Sequence, residues 1–135
     1  MAAQARGMKR PLILGSAVIG LTLPVHFPVP EPLSVEIAAI TLALIAGAYI
    51  GFAAADGSLK ALIVELAGAS VFGLAALAGL VWNPLAIPVG IMAHGLWDFA
   101  HHNNRFGASI PQWYIPFCVW IDFAVGGVLL ALYLL

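Results

Sequence analysis

The chain has 135 residues, 63 % of them hydrophobic and 8 % charged, and a formal net charge of −1. A soluble domain carries about 25 % charged and about 45–50 % apolar residues, so this composition excludes an ordinary water-soluble domain, and the near-neutral charge argues against a nucleic-acid partner. The single cysteine, Cys118, excludes an internal disulfide and any CxxC metal or redox motif.

What remains is a single polytopic membrane domain over residues 1–135, built of helices at ~20 residues per crossing. Strands are excluded because open strands leave backbone groups unpaired in lipid and the apolar runs lack alternation. The first element follows a basic start, "MAAQARGMKR", and reads "PLILGSAVIGLTL". This order imitates a signal peptide, but the following "PVHFPVPEP" has no small-x-small cleavage pair. The segment is therefore read as a retained span over residues 11–27, ended near Pro24, which cannot continue a helix. The Pro-rich "PVPEPLS" is a stiff loop. The second span covers residues 35–55, with Ser34 as its expected N-cap. "ADGS" is a turn, and residues 59–81 form the third span, closed by an interfacial Trp in "WNP". Residues 85–102 form the fourth, and "NNRFGASIPQ" is a polar loop. Trp113 and Tyr114 open a fifth over residues 113–135.

With five spans, Arg6, Lys9, Arg10, Lys60 and Arg105 all fall on one side, and the opposite loops carry Glu31 but no Lys or Arg. The positive-inside rule makes that side cytoplasmic, with the N-terminus inside and the C-terminus outside. Rows of small residues four apart, such as Ala43, Gly47, Gly51 and Ala55, read as packing seams between helices.

Against this apolar background, "HGLWDFAHHNN" gathers three histidines and an aspartate. At about 100° per residue, Asp98 lies about 40° and His101 about −20° from His94, so the three share one face. Imidazole nitrogen and carboxylate oxygen are ligand types for Zn or Fe. At about 1.5 Å per residue, His94 lies about 12 Å and Asp98 about 6 Å from the cytoplasmic edge. Glu65 on the third span and Asp122 on the fifth lie about 9 and 14 Å from the same edge, and Ser16 and Tyr49 share that half. An ionised residue near mid-helix costs about 2.5–3.5 kcal/mol on the insertion scale, so three carboxylates there mark a functional site.

The "AHGLWDF" segment resembles the last motif of CAAX-type intramembrane metalloproteases, a histidine followed four residues later by Asn or Asp in an apolar helix. The resemblance rests on His94 and Asp98 and implies metal ligation. That family's paired-glutamate motif with a following arginine has only Glu65 of "VELAGAS" as a counterpart here. "DFAHH" is similar to a fragment of the histidine boxes of membrane desaturases and hydroxylases, whose full di-iron site needs more than the four histidines of this chain. As a whole the chain resembles an uncharacterised family of short bacterial polytopic membrane proteins with an HGxWDxxHH segment. That resemblance implies the bacterial cytoplasmic (inner) membrane as location and assigns no activity.

The leading expectation is a metal-dependent membrane enzyme, a hydrolase or oxidoreductase, acting on an apolar or lipid-like substrate. His94, Asp98 and His101 are its expected ligands for Zn or Fe, and Glu65 or Asp122 its general base. A small proton-coupled carrier would use the same carboxylates as relay groups, although carriers often show internal repeats and "WDFAHH" and "WIDFAV" are the sole faint pair here. A structural or accessory subunit would use them to join helices.

Overall fold

The structure, a computed structural model, describes the backbone of residues 2–135 and the side chains of residues 9–135, so the side chain of Arg6 lies outside the described residues. Among these residues are five α-helices and no strand: α1 (Ala2–Thr22), α2 (Glu31–Asp56), α3 (Leu59–Val81), α4 (Ala86–Ala100) and α5 (Tyr114–Leu134). Of these, α2, α3 and α5 are long and apolar enough to cross a membrane. The 15 residues of α4 span only about 22 Å, less than the ~30 Å hydrocarbon core.

Element boundaries follow local chemistry, with two departures from expectation. Helix α1 does not start at Pro11 but runs through it, and it gives way to a 3₁₀ turn, Leu23–His26, at Pro24. Helix α2 starts at Glu31, earlier than Ser34, because Pro32 sits in the first turn, where its missing N–H costs no bond. Ser34 is thus inside the helix and fully buried, and its hydroxyl meets His26 Nδ1 at 2.8 Å and the Tyr133 hydroxyl at 2.9 Å. "ADGS" works as a turn: Gly57 ends α2 in the left-handed region (φ +67°), and the Ser58 hydroxyl caps α3 by accepting from the Ala61 amide at 3.2 Å.

The helices alternate in direction. The Ser109 amide donates to Asp56 Oδ2 at 2.6 Å, which puts the α4–α5 loop beside the α2–α3 turn. Trp120 Nε1 donates to Ser16 Oγ at 3.0 Å, and Pro11 lies near Trp113, so α1 and α5 run side by side in the same direction. Lys9, Arg10, Lys60 and Arg105 therefore share one end of the bundle.

The bundle is apolar on its outside as well as in its centre. Leu42, Ala46, Phe72, Ile87, Ile91 and Leu129 fill the centre, while Leu44, Ile63, Leu74 and Trp82 point outward. Among the described residues the centre also holds Glu65, His94, Asp98, His101 and Asp122, each at most 2 % exposed. Helices α4 and α5 meet closely at Gly126, where a Cβ would lie 2.6 Å from Met92 Cγ and 3.0 Å from the Pro88 carbonyl oxygen. Replacing Gly126 by Val should push these helices apart and cost about 1–3 kcal/mol. Thermal unfolding in detergent checks this, with Gly127→Val as the control, since an added Cβ at Gly127 meets nothing within 4 Å.

Candidate metal centre

The polar stripe of α4 is placed as its spacing requires. His94, Asp98 and His101 all face the interior, whereas His102 is exposed. Each inward group is met by a side chain from another helix, because nothing in an apolar interior can otherwise replace water for it.

From α5, Asp122 Oδ2 lies 2.8 Å from His94 Nδ1. From α2, the Tyr49 hydroxyl donates to Asp98 Oδ1. Asp98 Oδ1 is also 3.8 Å from His94 Nδ1, across one helical turn. His94, Asp98 and Asp122 each offer one ligand-type atom, and those atoms lie within 4.8 Å of one another. Phe72 of α3 packs edge-on against the His94 ring, with centroids 5.0 Å apart.

His101, expected beside His94 and Asp98, is engaged elsewhere. Its Nδ1 donates to the Trp97 carbonyl at 2.8 Å, and its Nε2 lies 2.7 Å from Glu65 Oε1. With Nδ1 carrying a hydrogen, the short Nε2–Oε1 contact needs one more proton, held by either the imidazole or the carboxyl group. The Ala108 amide donates to the same Oε1 at 2.8 Å. Glu65 thus holds the returning loop at the end of α4. Gly107 makes the close approach possible: its φ is +66°, and a Cβ there would collide with Glu65 Oε1 and His101 Nε2.

The site therefore has two parts, one of His94, Asp98 and Asp122 and one of Glu65 and His101. The Tyr49 ring stands between them, with centroids 5.5 Å from His94 and 4.8 Å from His101. Tyr49, which the sequence puts at a similar depth to these groups, meets Asp98, His94 and His101, a role that spacing does not reveal. The loop amide of Ala108 was missed altogether, and its nearest signal was Gly107 inside an otherwise polar loop.

Three buried polar atoms among the described side chains have no hydrogen-bond partner: His94 Nε2, Asp98 Oδ2 and Glu65 Oε2. A nitrogen and two carboxylate groups gathered in an apolar interior form a donor set that could hold a metal ion, and the unpaired oxygen of Asp98 leaves coordinating capacity in hand. Comparison with protein-family models, curated proteins and solved structures finds no match.

Removing the Glu65 carboxyl group leaves the Ala108 amide unpaired, a loss of about 1–3 kcal/mol. In Glu65→Ala, hydrogen exchange at the Ala108 amide should accelerate by roughly tenfold to a hundredfold. Unchanged exchange there would show that the loop is held by other contacts.

Proposed function

We propose that the protein is a five-span enzyme of the bacterial cytoplasmic membrane that uses a divalent metal, Zn or Fe, to act on an apolar or lipid-like substrate. The observation that carries this reading is the set of ligand-type atoms from His94, Asp98 and Asp122 within 4.8 Å, all buried. Asp122 takes the third ligand position that spacing had given to His101. The resemblance of His94 and Asp98 to the last motif of CAAX-type intramembrane metalloproteases supports the same pair.

A metal held by these side chains would supply an activated water for hydrolysis. The other residues have separate work. Tyr49 fixes the orientation of Asp98 through its hydroxyl. Phe72 and Tyr49 wall the site against bulk water. Glu65, whose Oε1 is held by His101 and the Ala108 amide, would serve as the general base by accepting a proton at its unpartnered Oε2.

A second reading is favoured by the same bonds. His94 to Asp122 and Tyr49 to Asp98 join three helices, and interhelical polar bonds of this kind hold membrane bundles together. The two readings part on metal content. Protein purified without chelators and offered Zn, Fe, Mn or Cu should hold one equivalent, His94→Ala should hold none, and Tyr49→Phe should bind about 10–100-fold more weakly. A metal-free wild type whose His94→Ala variant loses about 0.6–2 kcal/mol of helix association would establish the structural role instead.

Topology is tested separately. The basic residues gathered at one end support a cytoplasmic location for that end under the positive-inside rule, so a reporter fused after Leu135 should read as external. A cytoplasmic reading would overturn the five-span arrangement.

A further inference from the structure

Outside the polar site, a groove of about 1020 Å³ lies between α1, the end of α4 and the first half of α5. Its floor is apolar, with Leu12, Ile115, Pro116, Val119 and Phe123 among the lining residues. Its polar residues, His102, Asn103 and Gln112, come from the segment that joins α4 to α5, at the basic end of the bundle. Lys9 and Arg10, both exposed, immediately precede the groove residue Pro11 on α1. Arg105, also exposed, follows Asn103 by two residues.

The groove lies along α5, a helix long and apolar enough to cross a membrane, so its long axis is bathed by acyl chains and its basic end by headgroups. An occupant must be apolar along most of its length and anionic at one end. From this match we infer that the groove is a specific binding site for an anionic phospholipid, one acyl chain lying along Val119 and Phe123 and the phosphate near Lys9, Arg10 and His102. Cations near the surface attract anionic headgroups, and a groove that also orders the chain adds selectivity that the free surface of a helix lacks. The inference is independent of any metal in the polar site.

The test uses the full chain in nanodiscs or detergent, with phosphatidylglycerol and phosphatidylcholine of identical acyl chains as probes and lipid retention read by native mass spectrometry. The wild type should retain one phosphatidylglycerol in preference to phosphatidylcholine by at least ~tenfold. Lys9→Gln combined with Arg10→Gln should reduce that preference while leaving total acyl-chain retention largely in place. Val119→Trp, which fills the groove, should abolish retention of both lipids, and Leu12→Trp serves the same purpose from the facing helix if the first variant does not fold. Equal retention of the two lipids by the wild type, or full retention by a correctly folded groove-filling variant, would overturn the proposal. A lipid-free dimer as the dominant species would also overturn it, by assigning the groove to a second copy of the chain.

Discussion

The structure depends on the requirement that polar side chains within an apolar bundle find partners on other helices. Helix α4 carries His94, Asp98 and His101 on one face, and lipid can satisfy none of them. Each is answered from a different direction: Asp122 from α5, Tyr49 from α2 and Glu65 from α3. A single short helix thereby fixes its rotation relative to three neighbours. Close backbone approach completes the arrangement, because side-chain bonds of this length form only if the helices can come together, as α4 and α5 do at Gly126.

The same requirement decides where the site can carry chemistry. Groups that satisfy one another fully would leave no capacity for a ligand. Here the pairing is incomplete: His94 Nε2, Asp98 Oδ2 and Glu65 Oε2 are buried without partners. An unsatisfied buried polar atom costs about 1–3 kcal/mol; two of these lie in the His94 part of the site and one in the Glu65 part. These three atoms are where the interior keeps hydrogen-bonding or coordinating capacity that its own side chains leave unused.

Much of this was legible in the sequence, for definable reasons. The apolar runs gave α2, α3 and α5 within a few residues, because a helix is the sole structure that satisfies its backbone over so long an apolar segment. The facing of His94, Asp98 and His101 followed from their spacing along one helix. Partner choice did not follow, because it depends on the rotation of neighbouring helices, which spacing along one segment leaves open. Hence His101 was grouped with His94 and Asp98, although Glu65 of α3 claims it. Ser34 was misplaced for a local reason: serine is a strong N-cap, but Pro32 lets the helix begin a turn earlier, and the hydroxyl is used instead between His26 and Tyr133.

The shortness of α4 explains the part of the site that spacing could not reach. At 15 residues the helix stops after Ala100, and Asn103 and Asn104 turn the chain back through the left-handed region (φ 60° and 53°), which asparagine tolerates better than most residues. The loop then folds inward, burying Ala108 completely and Ile110 to 3 % exposure, and the Asn104 side chain accepts from the Ile110 amide at 2.8 Å. A full-length α4 would carry the chain past this level and leave Glu65 and His101 without the Ala108 amide. Instead the loop fills the missing length of helix with backbone whose donor is aimed at Glu65. Irregular backbone at such a place is tolerated where protein buries it, and here the buried carboxyl group that needs a donor and the loop amide that needs an acceptor satisfy each other.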